Sequence, residues 1–270
     1  MSAPSLSDPA WHATIRERLM ETVRVHRAHR PLYYDLADEP GIADLSAFWD
    51  FDFSRHSLEG MRRWLKERYP DLAGLNAQWG SRFSDWDSVV PMTTTEAMKR
   101  SDNNYSAWAD FKEWMDTEFA RALALGRQAV HDADPHAYAG IEGAQVPGWG
   151  GYDYTRLASA VDLMEPYDGG GNFEIVRALN PRIVLLTTSA GGETEAHSLW
   201  RHLLRGSRGV IFWDPKSQIV GEDGRIGDRG RSIAPHLREF KGGLGALLIH
   251  SHRQTAQVAV LYSPASMRAP

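Results

Sequence analysis

The sequence contains no cysteine, which excludes disulfides, thiolate metal ligands and a cysteine nucleophile. No apolar run reaches the roughly 20 residues that a bilayer-spanning helix needs. Residues 1–20 lack the apolar centre of a secretory leader and read as a capped helix, so the cytoplasm is the default expectation for compartment. Basic charge is in short supply: 30 Lys and Arg stand against 35 Asp and Glu, a net charge of -5. Nucleic-acid surfaces show a basic patch or stripe. The densest basic stretch here, Arg62-Arg63 through Lys66 and Arg68, is interleaved with apolar residues at helical spacing and reads as a solvated helix face. Neither nucleic acid nor membrane is expected as a partner. A glycine-rich phosphate loop is also missing, because Gly169-Gly170-Gly171 and Gly191-Gly192 lack the G-x-G-x-x-G spacing. No dinucleotide or other cofactor is expected.

Aromatic residues are plentiful: ten Trp, nine Tyr and nine Phe in 270 residues. Most of them should fill core, and those at strand ends suit stacking on sugar rings. Ser7-Asp8-Pro9 is a helix start, with apolar residues Ile15, Leu19 and Val23 at helical spacing to about Arg27. Pro31–Asp38 reads as a short, mostly buried strand, stopped by Glu39-Pro40-Gly41. Leu58, Met61, Trp64 and Leu65 mark an amphipathic helix, Asp71–Trp79 a second, and Tyr105 through Leu123 a long third with an aromatic stripe. From there strands are expected at Ala137–Gly143, Val161–Tyr167, Arg182–Ser189 and Gly209–Asp214. Helices fall between them near 153–160, 172–180 and 193–205. A further helix near 230–248 precedes an apolar strand at Val258–Tyr262. Short apolar strands alternating with helices indicate an α/β fold with a parallel sheet covered on both faces. Five such units are too few to close a (β/α)8 barrel, so an open doubly wound sheet is the structural alternative.

In α/β barrels the chemistry lies at the C-terminal strand ends. Those ends carry Asp38 and Glu39, then Glu142, then Glu165-Pro-Tyr167-Asp168, then Thr187-Thr188-Ser189, then Trp213-Asp214. Carboxylates gathered with Trp149, Tyr167 and Trp213 suit glycoside hydrolysis, in which one carboxylic acid protonates the leaving oxygen and a second attacks or activates water. Each has a plainer reading: Asp38 and Glu39 as a loop cap, Glu142 and Glu165 as ion-pair partners of Arg182 or Arg208, Trp213 as core. His250-Ser-His252 lies in a linker and is not expected to bind metal.

The run Phe53-Ser54, Leu58-Glu-Gly-Met-Arg-Arg-Trp64-Leu65-Lys66-Glu-Arg68-Tyr69, Leu72, Leu75-Asn76, Trp79-Gly80, Phe83, Trp86, Val89 and Pro91 resembles the family forty-two, β-galactosidase-like glycoside hydrolases. There it forms the helical insertion after the fourth barrel strand. The segment Leu199-Trp200 through Gly209–Trp213 agrees more loosely. The resemblance implies an incomplete (β/α)8 TIM-type barrel over residues 1–250, comprising about the last five βα units. Residues 251–270 would then be a linker and the first strand of a truncated amidotransferase-like domain, involved in homotrimer formation in the full-length form. It implies a carbohydrate substrate and a retaining reaction, with the acid/base at Glu39. Where the family has Asn before that glutamate, this chain has Asp38, which accepts a bond from a sugar hydroxyl but cannot donate one. Its charge also favours a protonated neighbour, as a general acid requires. The family's nucleophile closes the seventh strand, here Arg182–Ser189, which ends without a carboxylate. The first one after it is Glu193, with Glu165 or a water-based inverting reaction as alternatives. The cysteine-bound zinc found in relatives has no ligands here.

Overall fold

The computed structural model describes residues 4–41, 50–145, 152–169, 171–252, 254 and 257–268. Two compact units divide the chain, one of Met1–Asp162 with Ser263–Pro270 and one of Leu163–Tyr262.

In the first unit, α1 (Pro9–His26) starts where the Asp8 side chain accepts the Ala10 N–H and Pro9 supplies a first-turn residue that needs no donor. Its one buried residue, Val23, packs with Val130 and Ala139, and Tyr34 and Leu36 close over that cluster. Strand β1 (Tyr34–Asp38) follows. It is less buried than its apolar letters suggest, with Asp35 and Asp38 exposed and Tyr34, Leu36 and Ala37 only half-buried. The insertion contributes α2 (Arg55–Arg68), capped by Ser54, α3 (Leu72–Trp79), capped by Asp71 and ended at Gly80, and the short α4 (Thr94–Met98). All three precede the long α5 (Ser106–Ala133), whose buried stripe includes Phe111, Trp114, Met115 and Phe119. Asp110 fastens the insertion to α5 by accepting both the Tyr69 hydroxyl at 2.6 Å and the Trp79 indole N–H at 2.7 Å. Strand β2 (Ala139–Ala144) pairs in parallel with β1, Tyr34 opposite Ala139 and Asp38 opposite Glu142, with an irregularity between Asp35 and Asp38. Helix α6 (Tyr154–Ala160) completes the unit.

In the second unit β3 (Leu163–Pro166), β4 (Val184–Ser189) and β5 (Gly209–Phe212) are parallel neighbours in sequence order. Crossovers α7 (Asn172–Leu179) and α8 (Glu195–Arg205) join them. Neighbouring strands that follow chain order are what a barrel needs; a doubly wound sheet reverses direction at a switch point. The helix expected near 230–248 is broken. It forms α9 (Asp228–Glu239), a π turn over Phe240–Leu244 and α10 (Gly245–His250), because Gly243 takes φ 122°, which no helix accommodates. Val258–Tyr262 forms no strand among the described residues; Val258, Val260 and Leu261 stand exposed there, Val260 at 91%. Among the described residues no helix is long and apolar enough to cross a membrane.

Candidate active site

Glu39 follows the last residue of β1 and takes φ 43°, a left-handed conformation that a residue with a Cβ seldom adopts. Its amide donates to the Glu142 carbonyl at 3.0 Å, so the parallel pairing with β2 extends one residue past the strand. Gly143, at φ 60°, lies directly against it: a methyl group there would stand 2.6 Å from Glu39 Cγ and 3.1 Å from its amide nitrogen. The chain thus turns sharply at Glu39, and the neighbouring strand leaves space for the turn. Strained backbone of this kind is concentrated at functional positions.

Around it, the Glu142 carboxylate accepts the Tyr33 hydroxyl, and burial raises its pKa above the ordinary carboxylate range. No ion pair reaches Glu142 among the described residues. Tyr152 is 3% exposed and its hydroxyl has no hydrogen-bond partner among the described residues. Burial pushes its phenol up. The Gln145 backbone amide nearby acts the other way, and the charge of Glu39 adds to the upward push. Asp38 is exposed at the strand end, while Trp149 falls outside the described residues.

In the second unit Glu165 is 2% exposed at the C-terminal end of β3 and accepts the Thr188 N–H at 3.1 Å. The ion pair expected with Arg182 or Arg208 would have to span the strands, since both arginines precede β4 and β5 and so flank their N-terminal ends. The Tyr167 carbonyl accepts the Asn172 side-chain amide at 2.7 Å, which starts α7. Asp168 is heavily engaged: it pairs with Arg205 and with Arg201, and its Oδ2 meets His202 Nε2 at 3.2 Å. The other ring nitrogen of His202 lies 3.0 Å from the Thr187 hydroxyl. Burial depresses the His202 pKa, and the Asp168 charge opposes that shift.

Glu193 is exposed in the turn after Gly191 and Gly192, which take φ 88° and 103°. Two residues on, Glu195 is 5% exposed. It accepts the Ser189 hydroxyl at 2.6 Å and is clamped by Arg229 at 2.7 and 3.0 Å, which lowers its pKa. Arg229 also donates to the carbonyls of Ser189 and Trp213, both at 2.8 Å, and so ties together the ends of β4 and β5. Trp213 is held by its backbone while its side chain stands in solvent, with the residue 60% exposed; it is a surface ring, not core.

Tyr33, Gly143, Tyr152, Glu195, His202 and Arg229 escape sequence reading. Only Gly143, adjoining Glu142 at a strand end, carries a local signal; the others act through partners distant in the chain.

A family model described as β-galactosidase, glycoside hydrolase family forty-two, matches residues 18–169. No curated protein matches the chain. Among solved structures, a β-galactosidase from Rahnella sp. superposes with a TM-score of 0.72 at 18% identity, over 98% of this chain and 43% of that one. A β-galactosidase from Bacillus circulans sp. alkalophilus gives 0.67 at 14% identity, over 91% and 41%. The catalytic domain of a β-amylase from Paenibacillus polymyxa gives 0.63 at 14%, over 84% and 68%. These likenesses establish the fold as an α/β barrel of the TIM type, incomplete at five βα units. The chain spans about two fifths of the length of the two β-galactosidases.

Proposed function

Because this chain belongs to glycoside hydrolase family forty-two, the β-galactosidase family, we propose that it carries part of a barrel that hydrolyses β-glycosidic bonds, those of galactosides among them, with Glu39 as acid/base. The observation that carries this reading is the position of Glu39 at the C-terminal end of β1, in a left-handed turn seated against Gly143. A carboxyl there protonates the leaving glycosidic oxygen and, once ionised, takes a proton from the incoming water. Glu193, the first carboxylate after β4, is proposed as the nucleophile, on a turn whose two glycines leave its backbone free to adjust. Glu165 is the competing group.

Asp38, Glu142, Trp149, Glu165, Tyr167, Asp168 and Trp213 are proposed to contact the sugar. The exposed ring of Trp213 is the best supported of these as a stacking surface. Residues 251–270 are proposed as the link to an amidotransferase-like domain, and the full-length form as a homotrimer; sedimentation of that form tests the assembly.

The test is Glu39→Gln in the full-length protein. Hydrolysis of substrates with poor leaving groups should disappear, while azide restores turnover of activated aryl glycosides. Glu193→Gln and Glu165→Gln then decide the nucleophile, since only the true one traps no glycosyl-enzyme when mutated. A second reading, a carbohydrate-binding barrel without turnover, is favoured by the carboxylate-free end of β4, Thr187-Thr188-Ser189. Calorimetric oligosaccharide binding without hydrolysis by the wild type would select it.

A further inference from the structure

Away from the strand ends that carry these carboxylates, the second unit holds a cavity of about 490 Å³, within the several-hundred-Å³ range of small-ligand sites. It opens beside the N-terminal ends of β4 and β5, the face opposite to Glu165 and Trp213. Its wall is aliphatic, with Leu185, Leu203 and Leu248, and among the described residues its polar lining joins Arg177, Arg182 and Arg208 to Ser251, His252 and Gln254, with no Asp or Glu.

Five other arginines of this unit are matched to acids, while Arg238, outside the cavity, pairs with none among the described residues. Arg201, Arg205, Arg225, Arg229 and Arg231 all sit in ion pairs. Arg182 and Arg208 sit in none among the described residues, and both line this cavity. Arg177 is positioned differently. Its guanidinium donates to the Arg205 carbonyl at the end of α8, passing over Gly206, where an added methyl would stand 2.9 Å away. Two arginines that pair with no carboxylate among the described residues line this one cavity, and a guanidinium is a donor fork that matches phosphate and sulfate oxygens. The aliphatic wall beside them suits the carbon skeleton of an ester, where a bare ion would leave it unused.

The geometry points to a binding site for a small organic phosphate or sulfate ester, its anionic group held by Arg182 and Arg208 at the N-terminal ends of β4 and β5. The site is independent of the glycosidase reading.

Calorimetry on the purified chain, at physiological ionic strength, tests this with galactose 6-phosphate, galactose 6-sulfate, inorganic phosphate and uncharged galactose. The esters should bind, galactose should not, and inorganic phosphate should bind more weakly than either ester. Whichever ester binds tighter identifies the anion. Arg182→Gln and Arg208→Gln, both at exposed positions, should each weaken the ester about tenfold, the loss of one charge-assisted pair, with unchanged circular dichroism. No binding of either ester by the wild type, equal binding of galactose, or full binding by the Arg182→Gln/Arg208→Gln variant overturns the proposal. Hydrolytic activity enters none of these readouts.

Discussion

Gly143 lies so close to Glu39 that a methyl group on its Cα would sit 2.6 Å from the glutamate Cγ. Gly143→Ala must therefore move Glu39 as well as strain its own left-handed backbone. On the proposal that Glu39 is the acid/base, a displacement near 1 Å costs on the order of a hundredfold in rate, and glycoside hydrolysis by the full-length protein should fall by about that factor. Gly224, at φ 77° with nothing within 4 Å of its would-be Cβ, provides the control. Gly224→Ala carries the backbone strain without the collision and should leave turnover unchanged.

Arg229→Gln should destabilise the second unit by about 3 kcal/mol, the cost of leaving a buried carboxylate without its cation. Glu195 at 5% and Arg229 at 10% side-chain exposure are both shielded from water. Because Arg229 lowers the Glu195 pKa, the stabilisation is fully present above the unfolded carboxyl pKa and is lost as pH falls through the lower folded value. Urea unfolding of wild type and variant should differ most near neutral pH, and the gap should narrow below about pH 4.

His202 produces a dependence in a different window. Its imidazole is depressed by burial, so the unfolded chain takes up the proton first as the solution is acidified. The folded state is therefore favoured above the unfolded pKa of about 6.5 and loses ground as pH falls from there toward the folded value. His202→Gln keeps a polar group for Thr187 and removes that titration. Between pH 7.5 and 5.5 the wild-type melting temperature should drop more than the variant's.

In α2, Gly60 breaks the usual rule for helix interiors. Replacing glycine by alanine in a helix ordinarily stabilises by about 1 kcal/mol. Here the added methyl would meet the Trp114 ring at 2.6 and 2.9 Å. That ring is 3% exposed, and its N–H is spent on the Ser57 hydroxyl at 3.0 Å, so it has little room to yield. Gly60→Ala should destabilise by about 1–3 kcal/mol, the range for overpacking, as read from chemical denaturation.

Much of this protein is legible one residue after another. Ser54, Asp71 and Asp8 start their helices, and Gly80 ends one, by hydrogen bonds and dihedral angles that involve only near neighbours. Apolar periodicity located β1 to β5 to within about three residues, and Glu39 stands out because Pro40 and Gly41 end the strand beside it. Tertiary structure alone decided the rest. Asp168 is drawn into a cluster with Arg201, His202 and Arg205; the carboxylate that Arg229 clamps is Glu195 and not Glu193; and Gly143 is the residue that receives Glu39. Local periodicity says which face of an element seeks the core. Which charge meets which depends on strand register and crossover length, and those are settled only when distant segments pack.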